Sequence, residues 1–172
     1  MQGHPEREPG AGPEAGPEAG AAAKRPRTVL FVCTGNTCRS PMAAAFAQAI
    51  ADDLAEQGIP TRVISAGISA AEGYPASPEA VEALARLGID LRSHRSRALT
   101  PELLDEADVV FAMTEGHAAA ARAINPSAAE KILLLDPNGQ VPDPYGGPIE
   151  IYEATADRLR ELVARRLKEL SA

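Results

Sequence analysis

The chain has 172 residues, 45% of them apolar, 24% charged and 3% aromatic, which suits one compact domain. A formal net charge of -7 leaves no basic surplus to grip phosphate backbones, which argues against nucleic acid as a partner. No apolar run approaches the ~20 residues of a membrane span, and no apolar core of a secretory signal follows the first residues. A cytoplasmic protein without a membrane partner is therefore expected.

Residues 1–26 are rich in Gly, Pro, Ala and Glu, include the run GPEAGPEAG and end in Lys24-Arg25-Pro26. With few large apolar side chains to offset ordering entropy, this stretch reads as a disordered tail. Across 27–172, short β-branched runs alternate with helical periods, the pattern of a parallel α/β domain. Buried strands are expected at 28–32, 62–65, 109–113 and 132–135. The first helix should start at Ser40-Pro41, carry Met42, Phe46 and Ile50 to Leu54, and end near Gly58. A second, capped by Ser77 with Pro78 at its first position, sets Val81, Leu84 and Leu87 at helical spacing and stops at Gly88. A third opens at Thr100-Pro101 and a fourth covers 115–124. The last, near 149–170, places Leu159, Leu162, Val163, Leu167 and Leu170 on one stripe.

The chain has two cysteines, too few for a disulfide framework, and both fall in one loop, which points to local chemistry in a reducing compartment. That loop, after the first strand, reads Cys33-Thr34-Gly35-Asn36-Thr37-Cys38-Arg39-Ser40-Pro41 and runs into a helix. A strand, a polar loop and a helix N-terminus make an anion site from backbone N–H groups and the helix dipole. The spacing Cys-x5-Arg puts one thiol and one guanidinium into it. A loop curled around an oxyanion would hold Cys33 beneath the phosphorus while the planar fork of Arg39 takes two oxygens. The same field favours the thiolate of Cys33. Gly35 and Asn36 tolerate the positive φ that a tight loop requires, and Ser40 can hydrogen-bond the sulfur. No Gly-Lys-Ser/Thr follows, which excludes a Walker-type loop. Cys33 and Cys38 would supply only two metal ligands, and His4, His94 and His117 sit in no ligand spacing, so neither metal nor cofactor is expected.

The string VLFVCTGNTCRSPMA resembles the signature of the low-molecular-weight protein tyrosine phosphatase family. The likeness runs from about residue 27 to 170, through Ser65-Ala66-Gly67, Ser93-His94 and Asp143-Pro144-Tyr145-Gly146-Gly147. It implies a four-stranded parallel sheet in order 2-1-3-4 with helices on both faces, and metal-free, two-step hydrolysis of a phosphomonoester-like bond. It further implies Cys33 as nucleophile, Arg39 as phosphate clamp and Asp143 as general acid. Thr34, Gly35, Asn36, Thr37, Cys38 and Ser40 would bind the phosphate, with Asn36, Ser40, Ser65 and His94 bracing the loop. The chemistry itself asks for such an acid, because the leaving atom must be protonated as the thiolate displaces it. Asp143 lies in the segment Val141-Pro142-Asp143-Pro144, whose restricted φ holds the carboxyl in place.

Thr37 stands where the tyrosine-specific branch has a branched aliphatic residue and the protein-arginine phosphatase branch has Thr. Its hydroxyl offers a guanidinium a hydrogen-bond partner, and sites built to bond a polar group discriminate well. Thr114, at a position usually acidic in the tyrosine branch, and Gly146-Gly147 after Tyr145 also resemble the arginine branch. The ring of Tyr145 stacks equally on a phenyl or a guanidinium plane. Hydrolysis of phosphoarginine in proteins is thus the expected activity, with phosphotyrosine as the alternative and a catalytically silent phospho-residue binder as the competing class. Guanidine is strongly basic, with a pKa above ~12, so its expulsion calls for a general acid. Cys38 suits a reversible Cys33–Cys38 disulfide, whereas arsenate reduction would need a third thiol that the chain lacks. Arg92, Arg95 and Arg97 read as a solvated basic stretch and His117 is given no role. Phosphorylated proteins are the expected partners of a monomer.

Overall fold

The computed structural model describes residues 25–171, so the expected tail lies outside the described residues apart from Arg25 and Pro26. Strand β1 (Arg27–Cys33) lies between β2 (Thr61–Gly67) and β3 (Val109–Ala112), and β4 (Ile132–Leu134) pairs with the far side of β3. Every pairing is parallel, in the order β2-β1-β3-β4. Parallel neighbours need crossover connections, and the chain builds them with α1 (Arg39–Glu56), α2 (Pro78–Ala85), α3 (Pro101–Glu106) and α4 (Glu115–Ile124) before ending in α5 (Ile149–Ser171).

The run of apolar residues in β1 is explained by burial on both sides: Val29, Leu30, Phe31 and Val32 have no exposed surface. Alternation along the strand sends Val29, Phe31 and Cys33 into a cluster with Met42 and Phe46 of α1, Leu84 of α2, and Leu159 and Val163 of α5. Leu30 and Val32 join Leu104 of α3, Val110, Ala118 of α4 and Ile132 on the other face. Burying each of the larger side chains contributes roughly 1.5–3 kcal/mol. The period of the strand therefore also decides which face of the sheet receives the Cys33 sulfur.

The expected starts of α2 and α3 at Ser77 and Thr100 carry side-chain caps, Thr114 caps α4 as well, and α1 begins one residue before the expected Ser40. Ser77 Oγ accepts from the Ala80 N–H, Thr100 Oγ1 from the Leu103 N–H, and Thr114 Oγ1 from the His117 N–H. Several details differ from the sequence pattern, and β3 and β4 each stop one residue short of it. Strands β1 and β2 each run further than expected, β2 by one residue before and two after, because their ladder continues to the pair Cys33 and Gly67. Helix α2 ends at Ala85, so Leu87 falls in the turn beyond it and is exposed rather than part of the buried stripe. A 3-10 segment at Pro126–Lys131, opened by its proline, leads into β4. Arg166 of α5 clasps β4: its guanidinium donates to the carbonyls of Leu134 and Leu135 and lies 5.3 Å from the centre of the Phe111 ring.

Candidate active site

Between the end of β1 and the start of α1 the chain makes one tight curl. Asn36 sits at φ 56°, the one non-glycine residue at positive φ among the described residues. Its short polar side chain tolerates this conformation and then secures it. The Asn36 amide Nδ2–H groups donate to Ser40 Oγ at 2.8 Å and Ser65 Oγ at 3.0 Å, while Oδ1 accepts from the Arg97 N–H at 3.0 Å. The Asn36 carbonyl accepts from His94 Nε2 at 2.7 Å. Burial, reinforced by Arg95, holds His94 below the usual histidine range against the pull of that carbonyl. Ser40 Oγ, having accepted from Asn36, keeps its own hydrogen for the Cys33 sulfur 2.9 Å away. All four expected bracing residues, Asn36, Ser40, Ser65 and His94, thus form one connected network behind Cys33. The expectation for Gly35 is corrected: it has no positive φ, and a Cβ there would meet nothing closer than Thr37 Oγ1 at 3.7 Å. One left-handed residue, Asn36, suffices to turn the chain.

Helix α1 has no side-chain cap at Cys38, which leaves the N–H groups of its first turn to the loop. In front of the network lies a pocket of about 210 Å3 lined by Cys33, Thr34, Gly35, Thr37, Cys38 and Arg39, with Asp143 and Tyr145 arriving from the far side of the sequence. Cys33 and Arg39 are 2% and 4% exposed, whereas Tyr145 is 76% exposed, so the sulfur and guanidinium are deep and the ring stands at the mouth. Arg39 donates from Nη1 to the Val141 carbonyl at 3.0 Å, and its Nη2 lies 3.6 Å from Asp143 Oδ2. The Asp143 Oδ1 accepts from the Tyr145 N–H at 3.1 Å. The Val141 N–H in turn donates to the Met113 carbonyl at 2.9 Å, which hangs this loop from the end of β3.

Thr37 is fixed through its backbone, its carbonyl accepting from the Ser77 N–H at 2.9 Å, while its Oγ1 is 3.8 Å from Cys38 Sγ. At that separation the hydroxyl is hardly engaged. The Cys38 Sγ donates to Ser77 Oγ at 3.4 Å and lies 3.5 Å from Tyr152 Oη, a hydroxyl that burial pushes far above its usual range and so keeps protonated. Both cysteines are reduced and buried.

The profile of the low molecular weight phosphotyrosine protein phosphatase family matches residues 28–172. The chain belongs to this family. It is 42% identical over 147 residues to a protein-arginine-phosphatase of Bacillus subtilis strain 168, an alignment that spans 83% of this chain and 95% of that one. It is 32% identical over 148 residues to the low molecular weight protein-tyrosine-phosphatase Etp of Escherichia coli K12, spanning 84% and 95%. Among solved structures, the arginine phosphatase YwlE, in a cysteine-to-serine mutant with a phosphorylated active site serine, superposes with a TM-score of 0.78. Its identity is 41%, over 84% of this chain and 95% of that one.

In this phosphatase-family member two further residues shape the site. Gly67 stands opposite Cys33 in the β1–β2 ladder, and a Cβ there would fall 2.4 Å from the Thr34 carbonyl and 2.9 Å from the Asn36 nitrogen. Only hydrogen fits where the end of β2 backs onto the loop. His117, given no role from sequence, is buried between two threonines: Nε2 lies 2.8 Å from Thr34 Oγ1 and Nδ1 3.0 Å from Thr114 Oγ1. Burial, with Arg39 acting the same way and Asp143 against it, pulls its pKa down to about 4. A neutral ring therefore ties the first residue after Cys33 to the cap of α4. The signal was present as Thr114-x-x-His117, the spacing that brings a helix's third residue back to its cap.

Proposed function

We propose that this chain is a cysteine-dependent protein phosphatase that hydrolyses phosphoarginine through a phosphocysteine intermediate. The observation that carries the reading is the opposition, across one small pocket, of the Cys33 sulfur with its Ser40 donor at 2.9 Å and the carboxyl of Asp143. In the first step the Cys33 thiolate attacks phosphorus, the bond from phosphorus to the leaving nitrogen breaks, and the Asp143 carboxyl gives its proton to that nitrogen. Arg39 would hold the phosphoryl oxygens; its buried guanidinium is already oriented by the Val141 carbonyl. Loop N–H groups and the amino end of α1 would share the charge. In the second step Asp143 takes a proton from water as it attacks phosphorus, and the phosphorus–sulfur bond breaks to return the thiolate. The solved relative with a phosphorylated active site serine supports a covalent intermediate of this kind.

The choice of phosphoarginine rests on Thr37. Its backbone is pinned by Ser77 and its hydroxyl, scarcely engaged by Cys38, lines the pocket where a guanidinium would enter. The protein-arginine-phosphatase from Bacillus subtilis supports the same choice. The exposed ring of Tyr145 can lie against either leaving group. Side-by-side kinetics on phosphoarginine and phosphotyrosine peptides test the reading. The wild type should favour phosphoarginine in kcat/KM, and Thr37→Ile should shift the ratio toward phosphotyrosine by ~10-fold or more. A ratio that does not move would remove Thr37 as the ground for choosing phosphoarginine, and a wild type that favours phosphotyrosine would return the chain to the tyrosine-specific reading. Under oxidant, a Cys33–Cys38 disulfide would withdraw the nucleophile reversibly and spare it from over-oxidation.

A further inference from the structure

A second concavity of about 390 Å3 opens beside the catalytic pocket and shares Gly35, Thr37 and Tyr145 with it. Its other wall is Ala71, Tyr74, Pro75 and Ala76, in the segment between β2 and α2, with Pro78 at the start of α2. Tyr74 is 61% exposed and, with Tyr145, belongs to the few large apolar side chains left at the surface of the described residues. Two exposed rings flanking an apolar hollow that runs into a reaction site are the surface features expected where a ligand's apolar part is received.

The wall is preformed. The Ser96 N–H donates to the Tyr74 carbonyl at 2.7 Å, the Tyr74 N–H to Ser96 Oγ at 2.9 Å, and Ser96 Oγ to the Ala71 carbonyl at 2.5 Å. At its other end the Ser77 N–H donates to the Thr37 carbonyl at 2.9 Å, so the hollow and the phosphate loop are fastened to each other. A side chain seated there has a fixed offset from the phosphorus. No Asp, Glu, Lys or Arg lines the hollow, and the hydroxyls of Ser77 and Ser96 are already committed. A charged side chain would lose its hydration and find no opposite charge there.

We propose that this hollow is a subsite for an apolar side chain of the protein substrate, close in sequence to the phosphorylated residue. In an extended substrate the side chain on the same face is two positions away, ~6.6 Å along the backbone. The proposal rests on the phosphatase reading of the catalytic pocket but not on the choice between phosphoarginine and phosphotyrosine.

The test is a matched pair of peptide sets, one with phosphoarginine and one with phosphotyrosine, each placing Leu, Ser or Asp at every position within two residues of the phosphorylated one. Each kcat/KM is divided by that of the same protein on p-nitrophenyl phosphate, so a general loss of catalysis cancels. Leu should exceed Asp by about tenfold at one position, two residues away first of all. Tyr74→Ala should bring that preference below about twofold, and Tyr74→Phe should keep it. A preference present with phosphotyrosine peptides alone upholds the subsite and overturns the arginine reading. Equal rates for Leu, Ser and Asp at every position in both sets overturn the subsite while the phosphatase reading stands. Absence of turnover on every substrate overturns both.

Discussion

The phosphate loop and the acid loop face each other across one pocket, yet the chain holds them by different means. Around Cys33 the supports are buried side chains bonded to one another, Asn36 to Ser40, Ser65 and the Arg97 N–H, with His94 and His117 braced against the loop from outside. Around Asp143 they are bonds to the loop's own backbone, from the Val141 N–H to the end of β3, from the Arg39 guanidinium to the Val141 carbonyl and from the Tyr145 N–H to Asp143 Oδ1, with Arg39 at 3.6 Å from a carboxyl that is 51% exposed. The proposed nucleophile is thus set in a rigid frame, while the proposed proton donor stands on a loop open to solvent. Bond formation at phosphorus tolerates little misplacement, whereas a donor that must also exchange its proton with water has reason to stay accessible.

Removing the central atom of the rigid side should have the largest effect. Cys33→Ser is expected to lower kcat on p-nitrophenyl phosphate by more than ~10^4-fold with the fold intact by circular dichroism. Asp143→Asn should cost ~10^2 to 10^4-fold on phosphoarginine peptides and much less on p-nitrophenyl phosphate, whose leaving group departs without a proton. Equal losses on both substrates would remove Asp143 from the acid role. Gly67→Ala attacks the frame from behind: the Cβ overlaps the Thr34 carbonyl, so a loss of about 1–3 kcal/mol should appear in denaturant unfolding, with reduced kcat. The smallest effect concerns His117. Its pKa is about 4 folded and ~6.5 unfolded, so between these values the unfolded chain binds more protons and stability falls as pH falls. His94, also lowered, adds the same sign. His117→Gln should flatten the decline of Tm across that window, on a scale of ~2–4 °C per kcal/mol. An unchanged slope would show that the ring does not titrate with folding.

Much of this site could be read in one continuous stretch, because residues 33–41 carry thiol, guanidinium and helix start in a local spacing. The strand order came from family resemblance alone; periodicity identified the four strands but contains nothing about which neighbours pair. The end of α2 was misread because Leu87 keeps the helical period after the backbone has left the helix. Gly35 and Asn36 were equally good candidates for a left-handed residue, and only the hydrogen-bonding capacity of the Asn36 side chain, spent on three partners in space, separates them. His117 and Gly67 act across 83 and 33 positions of sequence, on Thr34 in both cases, and no local pattern reports such a contact.

With only three residues in β4 and the carbonyls of Leu134 and Leu135 already taken by Arg166, that border of the sheet has few acceptors left for a foreign strand. An incoming ladder would have to evict a guanidinium that also rests on the Phe111 ring. The same α5 side chain that fastens the last strand to the body of the protein therefore doubles as a guard against fibril-like growth from this rim.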